Sequence, residues 1–176
     1  AFDDRVGCAV IAELLAKDRR WGFTLQAVFT VQEEVGARGA QVAAYALEPD
    51  LAVALEGTTA SDVPGSKEHL YSTRLGKGPA LTHTDASLLA DMRIVRRLME
   101  VAEARGIPFQ LRELAVGGTD AGRIHLIREG IPAGVVSVPT RYIHSPVSII
   151  DKQDFEHTLM LMEAFLDSID ERGLPC

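Results

Sequence analysis

The residues of this chain that could do chemistry are acidic pairs and one histidine: Asp3-Asp4, Glu33-Glu34, Glu56 and His144. Most of them follow short apolar stretches of strand character. Glu33-Glu34 comes after Phe23 to Val31 (FTLQAVFTV), Glu56 after Leu51 to Leu55 (LAVAL), and His144 lies in the loop after Ala133 to Val138 (AGVVSV). Asp3-Asp4 stands just before the first helical pattern. A carboxylate in such a place is unfavourable unless it is paired, hydrogen-bonded or bound to a cation. Several carboxylates with one imidazole make a ligand set suited to zinc, cobalt or manganese rather than to calcium, which prefers an all-oxygen shell. Adjacent acids can divide the labour, one binding metal while its neighbour handles a water proton. A carboxylate can also bridge two metals, which lower the pKa of water towards about 7 so that a nearby Glu can take its proton as the water attacks a carbonyl. Each residue alone has a plainer explanation: a helix cap for Asp3-Asp4, a solvated turn for Glu33-Glu34, a structural role for His144. The chemical reading rests on their convergence at one edge of a sheet.

The elements that must hold these residues alternate between helix and strand. Apolar spacing predicts a helix from about Arg5 to Lys17, a buried strand from Phe23 to Val31 and a helix from Gly39 to Leu47. A second strand covers Leu51 to Leu55 and ends at Glu56-Gly57, and a hairpin strand is possible at His69 to Arg74. A long amphipathic helix is expected from Asp85 to Ala104, capped by Asp85 and stopped by Gly106. Pro108 to Val116 alternates like a strand, a helix follows from about Ala121 to Arg128, Ala133 to Val138 is a third apolar strand, and Asp151 to Ile169 closes the chain as a helix. The expected class is α/β, with a mainly parallel or mixed sheet and helices on both faces. Ligands of such sheets sit beyond the carboxyl ends of the strands, where the acids and His144 fall.

Composition narrows the function. The chain has 176 residues, 47% hydrophobic and 24% charged, which is ordinary for one globular domain. Lys and Arg total 18 against 25 Asp and Glu, a net charge of -7, so nucleic acid and anionic membrane are poor partners. Two cysteines, Cys8 and Cys176, make no disulfide framework, and a cytoplasmic setting is expected. Other motifs carry less. His83-Thr84-Asp85 has the letters of a metal motif, but Asp85 has a sufficient role as a cap. Gly117 to Gly122 (GGTDAG) lacks the pattern of a nucleotide loop; it is either a tight turn or a backbone lining for the pocket.

Asp3-Asp4 within AFDDRVG, Phe29 to Gly36 (FTVQEEVG), Leu55 to Thr58 (LEGT), Asp62 to Gly65 (DVPG), Gly117 to Gly122 and Arg141 to Ser145 (RYIHS) together resemble, in order, the signatures of a metallo-aminopeptidase family. It is the family of the glutamyl, deblocking and tetrahedral aminopeptidases, some members of which have been described as cellulases. The resemblance implies a zinc-exopeptidase-like fold and removal of N-terminal residues from peptides. It implies Asp3 as the carboxylate bridging two divalent metals, zinc or cobalt, often with a cis peptide to Asp4. Glu33 is implied as the general base, and Glu34, Glu56 and His144 as terminal metal ligands. It further implies a homo-oligomer, commonly a tetrahedral dodecamer. The family's further ligand, in a His-x-Asp pair, and a smaller inserted domain both precede the Asp3-Asp4 motif, and His83-Thr84-Asp85 comes too late in the chain to replace that pair. Residues 1–176 are therefore expected to be a partial catalytic domain, incomplete at its N-terminus, with partial or empty metal sites and weak activity. Two other readings stay open: a non-catalytic folded fragment or assembly subunit, and a glycosidase using Glu33 and Glu56 as paired carboxylates. The second asks for neither Asp3 nor His144, and an aromatic content of 6% offers little sugar platform.

Overall fold

A computed structural model describes residues 1–169. The elements are α1 (Arg5–Ala16), α2 (Arg38–Leu47), β1 (Ala52–Thr59), β2 (Ala80–Thr82), α3 (Met92–Arg105), β3 (Gln110–Leu111), α4 (Ala121–Ile124), β4 (Ala133–Arg141), β5 (Ile149–Ile150) and α5 (Lys152–Asp167), with a 3-10 turn at Glu68–Leu70. The sheet runs β1-β4-β2-β3, with β5 beside the end of β4. β1 pairs with β4 in parallel and β2 with β3 in parallel, while β2 and β5 run antiparallel to β4. The sheet is therefore mixed.

Alternation along β1 and β4 decides which helices cover which face. Val53, Leu55 and Val136 join the larger core, where Val10 and Leu14 of α1, Ile94 and Leu98 of α3, and Leu161 and Phe165 of α5 meet. Ala54, Ala133 and Val135 point the other way, against Leu88, Ala90 and Ala121. Ala44 of α2 packs with Ile127 and Ile131 beyond them. β4 is buried from Ala133 to Thr140, as a strand with neighbours on both edges and both faces should be.

The structure revises several sequence expectations. Phe23 to Val31 forms no strand. A cleft of about 900 Å³, lined by Phe23 to Thr30 on one side and Leu51 to Glu56 on the other, separates this segment from β1, which pairs only with β4. Without a ladder partner among the described residues, Leu25, Phe29 and Val31 stand exposed. β1 runs on past Leu55, because Glu56 to Thr59 continue the register against Ser137 to Thr140. Helix α3 begins at Met92 with Asp91 as its cap, not at Asp85; Asp85 instead accepts from the amides of Ser87 and Leu88 and caps that turn. Pro108 to Val116 contributes only β3, α4 is a single turn, and His69 to Arg74 gives a 3-10 turn and one bridge, Ala60 to Thr73. Among the described residues no helix is long and apolar enough to cross a membrane. Cys8 is a free, exposed thiol; Cys176 lies outside the described residues.

One buried carboxylate fixes the approach to β2. Asp154, in the first turn of α5, is fully buried and accepts from the amides of Gly76 (2.8 Å) and Gly78 (2.7 Å). Removing it leaves the buried Gly78 amide, and the more exposed Gly76 amide, without their acceptor. Asp154→Ala should therefore destabilise the fold by about 2–4 kcal/mol, read as a lower urea midpoint at unchanged slope.

Candidate metal centre

Three tight local structures bring the acids together. Asp3 and Asp4 are joined by a cis peptide, and Asp4 caps α1 by accepting from the Gly7 amide at 3.0 Å. Gly7 must lack a side chain there, since a Cβ would lie 2.2 Å from the Leu55 carbonyl oxygen, and α1 could not then sit against the end of β1. Glu33 and Glu34 occupy a turn in which the Gly36 and Ala37 amides both donate to the Glu33 carbonyl. That turn folds back so closely that a Cβ at Gly39 would stand 2.5 Å from the Val31 carbonyl oxygen. His144 lies beyond β4 in a loop where Tyr142 (φ 58) and His144 (φ 59) both take left-handed backbone angles.

His144 Nε2 lies 3.1 Å from Asp3 Oδ2 and 3.4 Å from Glu34 Oε2. Among the described residues, Asp3, Glu34 and His144 are the group of possible ligands whose atoms all fall within 4.8 Å of one another. The other oxygen of Asp3 leans over Gly57: a Cβ placed on Gly57 would stand 3.6 Å from Asp3 Oδ1. The Asp3 carboxylate thus faces His144 with one oxygen and the Glu56-Gly57 stretch of β1 with the other. Glu56 is not within the Asp3–Glu34–His144 group. It is held from the opposite side by the Asp120 amide, which donates to its Oε1 at 2.9 Å. Asp120 Oδ2 accepts from the Thr30 hydroxyl at 2.5 Å, and Asp120 Oδ1 is buried without a partner.

Asp120 is the site residue that sequence reasoning missed. Of the two readings of Gly117 to Gly122, the pocket-lining one describes what its backbone does at Glu56. The only sequence signal for its side chain was an acid in a glycine-rich turn between strand and helix. His83 and Asp85, whose motif was set aside, are not in the group; His125 is apart from it too, its Nδ1 facing the Ala121 carbonyl within its own turn.

The electrostatics are those of crowded carboxylates. Burial, then the neighbouring Asp120, Glu34 and Asp3, push Glu33 up to about 7. Burial likewise lifts Asp4 to about 7 against the opposing Gly7 and Gly57 amides, with the Asp3 charge adding to the rise. Glu56 is raised well above its ordinary value by burial, with Glu33, Asp120 and Asp4 adding to the rise. Asp3 and Asp120 are raised too, mainly by burial. The charge missing from this cluster is positive. A carboxylate and imidazole donor set with an unpartnered buried Asp120 oxygen beside it fits a divalent cation.

Residues 1–161 match the family model described as M42 glutamyl aminopeptidase. The chain belongs to the M42 glutamyl aminopeptidase family. It is 36% identical over 172 residues to the glutamyl aminopeptidase of Lactococcus lactis, covering 97% of this chain and 47% of that protein. An aminopeptidase from the archaeon Desulfurococcus kamchatkensis superposes with a TM-score of 0.93 at 42% identity, over 97% of this chain and 48% of that one. The TET1 peptidase of Pyrococcus horikoshii, which can assemble into a tetrahedron or a large octahedral shell, superposes at 0.80 with 30% identity, over 94% of this chain and 48% of that one. The chain spans about half the length of the curated relatives it matches. M42 membership does not favour the paired-carboxylate glycosidase reading.

The raised carboxyls fix a sign for pH dependence. Their folded pKa values lie above the ordinary 3.8 and 4.5, so their contribution is most favourable at low pH and is lost as pH climbs through about 7. Asp62 and Asp91 are shifted down, so their stabilisation fades only below their ordinary 3.8, outside this window. With chelator present, the melting temperature should fall between about pH 5 and about pH 8, and added zinc should raise it more at the upper pH.

Proposed function

We propose that this chain carries most of the catalytic centre of a dinuclear-metal aminopeptidase that removes N-terminal residues from peptides. The observation that supports it is the meeting of Asp3, Glu34 and His144 within 4.8 Å. In this reading those residues hold one divalent ion, zinc or cobalt. Asp3 turns its second oxygen towards the Gly57 position of β1, and in this reading Glu56 contributes to a second position. Bound there, the ions acidify water and polarise the peptide carbonyl.

The chain's own residues do the rest. Glu33, raised to about 7 beside the cluster, is a base of suitable strength. It takes the proton of the attacking water and passes it to the departing amine. The Asp120 amide holds the Glu56 carboxylate, and Asp4 ties the Asp3 turn to α1 through Gly7. Glu33→Gln, in a full-length protein carrying this segment, should lower turnover by about 10²–10⁴-fold, the usual worth of general-base help, while metal content survives. Metal lost from Glu33→Gln but kept in Glu34→Gln would reverse the two roles.

The match to about half of each relative supports reading residues 1–176 as part of a larger catalytic unit. Among the described residues, Glu56 meets the Asp120 amide and neighbouring carboxylates and belongs to no group of three possible ligands. A catalytic zinc generally keeps three protein ligands plus a water, so the second position is short of a donor here. The 176-residue chain with added zinc or cobalt should therefore turn over aminoacyl anilides weakly or not at all. Robust turnover would show that no further ligand is needed. Assembly with further copies, of the kind the TET1 peptidase of Pyrococcus horikoshii can form, and a reducing cytoplasmic setting for the exposed Cys8 thiol complete the proposal.

A further inference from the structure

The sequence motifs at Asp62 and Arg141 have no part in the reaction described above, yet they meet. Arg141 Nε donates to Asp62 Oδ1 at 2.9 Å and Arg141 Nη2 to Asp62 Oδ2 at 2.8 Å, a two-pronged pair in which fork matches carboxylate. Asp62 Oδ2 also accepts from the Leu75 amide at 3.1 Å. The side chains are only 14% and 29% exposed, which separates this pair from the ordinary surface ion pair that contributes little. Burial alone would raise Asp62, but the Arg141 guanidinium and the Leu75 amide outweigh it and hold the carboxyl below its usual range.

The position of this pair in the fold matters more than its strength. The β1–β4 ladder ends at Thr59 opposite Thr140, with one further bond from the Ala60 amide to the Thr140 carbonyl. Asp62 and Arg141 are the next tie beyond it. On one chain Asp62 lies six residues after Glu56, and on the other Arg141 lies three before His144. Arg141 immediately precedes Tyr142, the first of the two left-handed residues in the His144 loop. Non-glycine residues hold such angles only where their surroundings over-determine them. The far side of the loop is fixed separately: the N-terminal amine of Ala1 donates to the Ser145 carbonyl at 2.9 Å, and the Phe2 amide to Ser148 Oγ at 3.0 Å.

We propose that Asp62 and Arg141 are positioning residues: their two-pronged pair locks the start of the His144 loop onto the end of β1 and so delivers the imidazole to Asp3 and Glu34. The inference rests on the reading of His144 as a metal ligand. It adds that the imidazole's position depends on a contact remote from the metal, made by two residues that touch neither ion nor substrate.

The test measures cobalt affinity of the 176-residue chain by calorimetry, alongside melting temperature and backbone order parameters by NMR. Asp62→Ala and Arg141→Ala should each weaken cobalt binding by about 10–100-fold, the range seen when a residue orienting a metal ligand is removed. The double variant should be no weaker than either single one, since both delete the same tie. Arg141→Lys keeps the charge but not the fork and should recover little, whereas the reversed pair, Asp62→Arg with Arg141→Asp, should recover much. Unchanged cobalt affinity with a lowered melting temperature would overturn the proposal and leave the pair a stabilising contact only. An unmodified chain that takes no cobalt has the empty site expected of a partial catalytic domain. The tie is then decided by order parameters: residues 142–146 should lose order in the alanine variants while α3 keeps its own, and unchanged order in the loop would overturn it.

Discussion

The register of β1 against β4 is the constraint on which the rest of the site depends. Eight successive pairs, from Ala52 with Ala133 to Thr59 with Thr140, run without a break. A one-residue slip of β1 would turn Leu55 away from the main core and send Ala54 into it. The difference in size between those side chains makes such a slip expensive. With the register fixed, Glu56 on one strand and the loop leaving the other are carried to the same edge. Gly57 then sits where Asp3 can lie over it, and Gly7 lets α1 bring Asp3 and Asp4 to that place.

A second constraint is electrostatic. Asp3, Asp4, Glu33, Glu56 and Asp120 are gathered where burial raises every one of them. A fold built for stability alone would not collect acids at one sheet edge, and their cost is met by the packed cores beneath and by the amides of Gly7, Gly57 and Asp120. Such perturbation is common at functional sites, because the same crowding that disfavours charge gives a cation a reason to bind and tunes a base towards neutral pH. The electrostatics give a physical account of the role proposed for this corner of the fold.

The carboxylates also differ in how they are held. Asp3 lies open towards His144, whereas Glu56 is tied back by Asp120 and surrounded by other acids. The turn that carries Glu33 and Glu34 is fixed from the α2 side by the Gly39 approach to Val31. The extended residues before it pair with no strand. In the proposed two-metal reading, Asp3, Glu34 and His144 already lie together, whereas Glu56 has few companions.

What the sequence determined by itself is local. Helices α1, α2 and α5 were legible because apolar periodicity and capping act over a few residues; Asp4 and Asp151 mark the starts of α1 and α5, and Gly106 marks the end of α3. The acids and His144 were legible as chemistry because charge beside an apolar strand is conspicuous in a chain. Tertiary structure decided what depends on partners distant in sequence. Asp85 read as the cap of the long helix, but the cap is Asp91, whose amide donates to the Ala133 carbonyl and so links the helix start to β4. Phe23 to Val31 has every strand signal, but a strand exists only when a neighbour offers its backbone. The pairing of Asp120 with Glu56 spans 64 residues and that of Arg141 with Asp62 spans 79. No local pattern encodes such contacts; they follow from the order in which the strands lie side by side.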